Sequence, residues 1–209
     1  MKHVVQKTHP GQTFSPAGFA AMLAGMYAPP CLHTDHLRLR PPTVEDRALG
    51  ETLHRDPLVR QYLGGPTPEE HLPDVLAGYL TFSPRRAAWV VRLADGGEAI
   101  GLVTVSEHKD GEDVELSYLF APSAWGQGYA TEATRAVLDY GAAAMGLQRI
   151  IAETQQANAP SRRLLERLGM TPRASLIRFG APQVIYEMPL DGAPRERPER
   201  GEEHHSHHV

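Results

Sequence analysis

The run Trp125–Ala133, WGQGYATEA, sets two glycines around a glutamine immediately before a helical pattern. Gly126 and Gly128 free the backbone to turn tightly and to approach a ligand with no Cβ in the way. The helix that starts at about Gly128 or Tyr129 leaves its first N–H groups without partners inside the helix. Its dipole also favours negative charge at that end. A strand, this kind of turn and a helix therefore make a site for a pyrophosphate-sized anion.

Two phosphate-binding motifs are tested against this run first. The NTPase P-loop ends in Gly-Lys-Ser/Thr, so that a cation reaches the phosphates and a hydroxyl holds magnesium. Gly128-Tyr129-Ala130 stands here instead, which excludes it. The Rossmann fingerprint would place a third glycine where Thr131 sits and would follow the first strand, whereas this turn is in mid-chain. A bare strand-to-helix turn would not call for small residues across the whole first helical turn. Other reactive side chains offer less. His204, His205, His207 and His208 resemble a metal set, but their tail gives no fixed geometry, so no metal is expected. Cys31 is the only cysteine and has no base beside it; it can form no internal disulfide, which fits a reducing compartment.

The elements that must hold the turn can be read along the chain. His36–Arg40 alternates leucine with polar residues and reads as a strand, broken by Pro41 and Pro42. Thr43 caps a helix running to about His54, and Thr67–Leu80 is a second helical pattern that Pro73 interrupts or kinks. Ala87–Ala94, Ala99–His108 and Val114–Phe120 are strands joined by short glycine turns, an antiparallel meander. A helix from about Gly128 to Met145 leads to the strand Arg149–Thr154. That crossover makes Val114–Phe120 and Arg149–Thr154 a parallel pair. Asn158 caps a helix with a Leu164, Leu165, Leu168 stripe that Gly169 ends, and Ala174–Phe179 with Val184–Leu190 forms a last hairpin. The expected fold is mixed α/β: a mostly antiparallel sheet of about seven strands with a splayed parallel pair, and about four helices.

Residues 1–30 read as an N-terminal extension, in which Ala17–Tyr27 could form a short apolar helix. Residues 31–190 read as one domain, and 191–209 as a disordered tail. With 41% hydrophobic and 22% charged residues, the composition suits a globular protein. A net charge of −4 gives no broad basic surface, so nucleic acid is not an expected partner. No apolar run is long enough to span a bilayer and the start has no signal-peptide core, so no membrane partner and a cytoplasmic location are expected.

Trp125-Gly126-Gln127-Gly128-Tyr129-Ala130 resembles the Gln/Arg-x-x-Gly-x-Gly/Ala turn of the GNAT superfamily of acyl-CoA-dependent N-acyltransferases. Trp125 departs at the first position, but WGxGYATEA-like runs resemble the branch containing the ribosomal-protein N-terminal acetyltransferases. Asn158-x-x-Ser161 and Leu168-Gly169-Met170 resemble the superfamily's second signature, and the element order agrees from about His36 to Leu190.

The resemblance implies acetyl-CoA as cosubstrate, with its pyrophosphate on the amides from about Gln127 to Thr131. Trp125 and Gly126 flank that site, Gly128 and Ala130 lie within it, and Tyr129 either packs in the core or rim or lies under the adenine end. Amides near Tyr118, Leu119 and Phe120 would polarise the thioester carbonyl. Asn158 would cap its helix and touch the pantetheine. Glu115, on the same strand, is the candidate base, or else a solvent-facing strand glutamate; Ser117 on its face could order a water. The superfamily's usual acid is a tyrosine seven residues after the asparagine. Leu165 stands there, so Ser161 is the implied substitute. Arg162 and Arg163 either reach the 3′-phosphate or form a solvated helix face. The implied partner is an amine-bearing acceptor: a protein N-terminus, or else a small amine such as an antibiotic or polyamine. The protein would act as a monomer or homodimer. The missing tyrosine also leaves open a non-catalytic acyl-CoA-binding module.

Overall fold

The computed structural model describes residues 25–190. The expected helix at 17–27 lies outside them except for its last three residues, and the 191–209 tail with its histidines lies outside entirely.

In chain order the elements are β1 (Leu32–His33), β2 (Leu37–Arg40), α1 (Arg47–Arg55), α2 (Leu72–Gly78), β3 (Ala87–Leu93), β4 (Ala99–Glu107) and β5 (Val114–Phe120). They continue with α3 (Tyr129–Ala143), β6 (Arg149–Gln155), α4 (Ala159–Arg167), β7 (Thr171–Arg178) and β8 (Ala181–Pro189). Eight strands form one sheet in the order β1-β2-β3-β4-β5-β6-β8-β7, antiparallel throughout except for β5 and β6.

Two expectations are adjusted. The eighth strand is β1, which pairs Leu32 with Leu39 and His33 with Arg38. Two residues are too few for periodicity to reveal. The second helix is shorter than Thr67–Leu80 because Pro73 stands in the first turn of α2 and starts it. Its missing N–H costs nothing there. Upstream, Thr43 does cap, but first a short 3-10 turn, Val44–Asp46. The Asp46 carboxylate accepts from the Thr43 amide at 2.8 Å and from Arg40 at 2.6 and 2.7 Å, tying the start of α1 to the end of β2.

The larger core lies between one sheet face and the helices α3 and α4. Leu39, Trp89, Val103, Val105 and Leu116 pack there with Ala133, Val137 and Leu138 of α3 and Leu165 of α4. Burying each large aliphatic side chain contributes about 1.5–3 kcal/mol. A Cβ on Gly141 of α3 would meet the Leu147 side chain at 3.4 Å, so the glycine lets the segment after the helix fold back against it. A smaller cluster, Leu53, Val90 and Leu102, holds α1 on the opposite face.

These layers hold the parallel pair apart. β5 pairs with β4 along its whole length, from Val114 to Phe120, and β6 pairs with β8 from Arg149 to Gln155. Between β5 and β6 the register holds only at Glu115↔Ile151. Each strand is anchored on its far side, so the two diverge beyond Glu115. Gly101 keeps β4 against the diverging end of β5, since a Cβ there would lie 2.6 Å from the Phe120 ring and 2.7 Å from the Leu119 carbonyl. No helix among the described residues is long and apolar enough to cross a membrane.

Candidate active site

The divergence opens a cleft of about 570 Å³ that reaches through the sheet to both faces. It is lined by the turn before α3 and the start of α4, by β5 and β6 side chains, and by the segment between α1 and α2.

The glycine turn is built as its residue types require. A 3-10 turn, Pro122–Ala124, follows β5. The Trp125 indole N–H then donates to the Phe120 carbonyl at 2.9 Å, and the Gln127 side chain donates to Ser123 O at 2.8 Å. Gly126 and Gly128 have φ of 75° and 84°, a left-handed backbone that disfavours any Cβ. Gly128 caps α3 with no side-chain hydrogen bond, so the helix's first amides keep their capacity to bind an anion. The acid of that first turn, Glu132, is engaged elsewhere: it accepts from the His36 amide at 2.9 Å and pairs with the His36 ring at 3.0 Å.

Trp125, Gly126, Gly128, Ala130 and Thr131 line the cleft; the Gln127 and Tyr129 side chains do not. Tyr129 packs against the core and faces the His36 ring at 6.4 Å.

On the α4 side, Asn158 Oδ1 accepts from the Ser161 amide at 3.2 Å, the cap expected of it, and both residues line the cleft. Ser161 Oγ lies 2.8 Å from the Tyr118 hydroxyl. Burial pushes the Tyr118 phenol up to about 12, against a smaller pull from Ser161, so it carries its proton at neutral pH. The sequence points only to the Tyr118 backbone, so its hydroxyl is an addition. Strand alternation is the signal that could have found it, since it turns Tyr118 away from Glu115 and Ser117 and towards α4. Leu165 is fully buried in the core. Arg162 donates to the Tyr186 hydroxyl at 3.2 Å and Gln156 O at 3.3 Å, and neither it nor Arg163 lines the cleft. Arg167, further along α4, does.

On the other face, Glu115 and Ser117 line the cleft together with Glu153. Glu115 is half-buried rather than solvent-facing. Burial is the main cause that raises its carboxyl above the ordinary value. His108 and the Glu153 amide pull it down, while the Glu153 and Asp110 carboxylates push it up. Glu153 is itself matched by His108 at 3.0 Å, Lys109 at 3.3 Å and Arg178 at 3.5 Å. The helical segments add His54, whose ring bonds Thr67 Oγ1 at 2.9 Å and the Tyr79 hydroxyl at 2.6 Å. Burial, with Arg60 nearby, lowers this imidazole to about 4. Nothing in the pattern of residues 43–86 marks this group as part of a site.

A glycine-capped helix start beside a split parallel pair is therefore in place. The acetyltransferase (GNAT) domain family matches residues 36–171. The chain belongs to the GNAT acetyltransferase family. As a GNAT protein it is an acetyl-CoA-dependent N-acetyltransferase. YoaA of Bacillus subtilis, an uncharacterized N-acetyltransferase, is 30% identical over 72% of this chain and 88% of its own length. Spermidine N-acetyltransferase from Vibrio cholerae, solved with CoA and spermine, shares the GNAT fold with a TM-score of 0.66. It is 18% identical, over 76% of this chain and 98% of its own. RimJ of Mycobacterium smegmatis, solved with CoA-disulfide, has a TM-score of 0.60 and 23% identity over 76% of this chain and 84% of its own.

Proposed function

We propose that this GNAT enzyme acetylates an α-amine at a protein N-terminus, using the two faces of β5 for the two proton transfers. The observation that carries the reading is the placement of Glu115 and the Tyr118–Ser161 pair on opposite faces of one strand, at the gap beside it.

The acetyl-CoA diphosphate rests on the first amides of α3, around Gly128–Thr131, and the pantetheine follows the free edge of β5 past Asn158. Glu115 takes a proton from the acceptor ammonium, directly or through a water held by Ser117. The neutral amine attacks the thioester carbonyl carbon, and the developing oxyanion is held by amides on the open edge of β5. As the tetrahedral species collapses, the C–S bond breaks, the Tyr118–Ser161 hydroxyl pair gives the leaving thiolate a proton, and the second proton lost by the amine nitrogen passes through solvent to restore that pair. The products are the N-acetyl amide and CoA.

An α-amine has a pKa near 8 and a lysine amine near 10.4, so the weaker base suits a raised carboxylate such as Glu115. The acidic groups near Glu115 favour a polycation less than their number suggests, because Glu153 and Asp110 are already paired with cations. The WGQGYATEA run points the same way. Release of CoA thiol is the test, with peptides of varied N-terminus run beside spermidine and other small amines. Turnover of peptides is expected. Turnover of a small amine alone would reassign the acceptor, and binding of CoA with no turnover on any amine would make the protein a non-catalytic binder.

A further inference from the structure

Arg60 is a cation on the proposed acceptor side of the cleft with no counter-charge among the described residues. It projects from the segment between α1 and α2, half-buried, and lines the same cleft as Glu115. Its Nε donates to Gly65 O at 3.0 Å and its Nη2 to Leu63 O at 2.9 Å. Those bonds hold the guanidinium in place and leave Nη1 without a hydrogen bond among the described residues. Arg40, Arg47, Arg55, Arg149, Arg173 and Arg178 each have a carboxylate within ion-pair distance; Arg60 has none among the described residues. Its titratable neighbours do not supply a negative charge either. Burial pushes the Tyr79 phenol up to about 12, so it is neutral, and its hydroxyl is engaged with a neutral His54.

A half-buried guanidinium without a counter-ion has given up hydration for little return. An incoming carboxylate would restore that balance through a charge-assisted hydrogen bond to Nη1. We propose that Arg60 recognises a carboxylate on the acceptor, so that the enzyme's substrates are amines that also carry an acid group. This rests on the reading of the cleft as an amine acetylation site. The amine end then approaches Glu115 and the acid end approaches Arg60. Two sources share this chemistry: an acidic residue close to a peptide N-terminus, and the carboxylate of a free amino acid.

The test uses matched pairs of acceptors: peptides beginning Ser-Asp against Ser-Asn, and free amino acids against their amides. The wild-type enzyme should favour the acid member of a pair by about tenfold or more in kcat/KM. Whichever pair shows the preference identifies the source. In Arg60→Gln the acid-to-amide ratio should collapse to about one, and Arg60→Lys, which keeps the charge, should retain part of it. An equal fall for acid and amide acceptors would mean that Arg60 only braces its own segment. No acid preference in the wild type, or a preference for spermidine over every acid, would also overturn the proposal. If no amine is turned over, the same pairs are titrated calorimetrically into the CoA-loaded protein. Acid-selective binding lost in Arg60→Gln would uphold Arg60 while the acetylation reading fails; equal binding of acid and amide would overturn it.

Discussion

The Tyr118 hydroxyl and Ser161 Oγ lie 2.8 Å apart, joining β5 to α4 inside the cleft. One comes from the strand that diverges from β6 and the other from the first turn of α4, so the contact bridges the two elements at the gap. It also supplies a protonated hydroxyl where Leu165 cannot.

Removing that hydroxyl separates its role in chemistry from its role in packing. Tyr118→Phe should lower kcat by about a hundredfold, the lower end of what a positioned acid provides. The stability cost should be about 1 kcal/mol, for one lost hydrogen bond. Ser161→Ala should lower kcat less, because Tyr118 keeps its own proton. Steady-state kinetics with acetyl-CoA binding measured in parallel would check this. A loss of affinity with kcat unchanged would remove the pair from the chemistry.

In the proposed mechanism Glu115 can accept a proton only when ionised, and burial raises its carboxyl above the ordinary value. Activity should therefore rise with pH through a limb displaced upward from the usual carboxylate range, and that limb should vanish in Glu115→Gln. Two acceptors whose amines differ in pKa separate the contributions. The limb that stays fixed when the acceptor changes belongs to the enzyme. A profile that only follows the acceptor would exclude Glu115.

His54 makes stability pH-dependent. Its folded-state pKa is about 4 against an ordinary value of 6.5, so between those limits the unfolded chain binds more protons. Stability should fall as pH drops from 6.5 towards 4, by on the order of 3 kcal/mol from this residue. Denaturant unfolding across that window would measure it, with His54→Gln as the variant that cannot titrate. An unchanged slope in the variant would mean that His54 is not held neutral.

Much of this architecture is legible in the residues, because strand alternation and glycine turns are local. The Ala99–Glu107 and Val114–Phe120 strands, the crossover helix and the Asn158 cap all follow from short-range pattern. β1 escapes because two residues carry no period. Pro73 reads as a kink because its position in the first turn depends on where α2 begins. The half proposed to hold acetyl-CoA sits on one turn and one cap, each written in contiguous residues. The half proposed to take the acceptor is assembled from His54, Arg60 and Tyr79, brought together only by the packing of α1 and α2 on the sheet. Their distances in the chain give no spacing to recognise. The Tyr118–Ser161 contact likewise spans 43 positions and needs the fold to be seen.

The most direct measurement titrates the protein with acetyl-CoA and, separately, with acetyl-pantetheine, which lacks the diphosphate. Gly128 has a φ of 84°, and a Cβ added there would meet nothing within 4 Å, so Gly128→Ala strains and displaces the turn without a steric clash. The variant should cost about 1–2 kcal/mol of stability. It should weaken acetyl-CoA binding by about tenfold and leave acetyl-pantetheine binding unchanged, because only the diphosphate touches the first amides of α3. Equal affinity of wild type and variant for acetyl-CoA, or an equal loss for both ligands, would contradict the assignment of that turn.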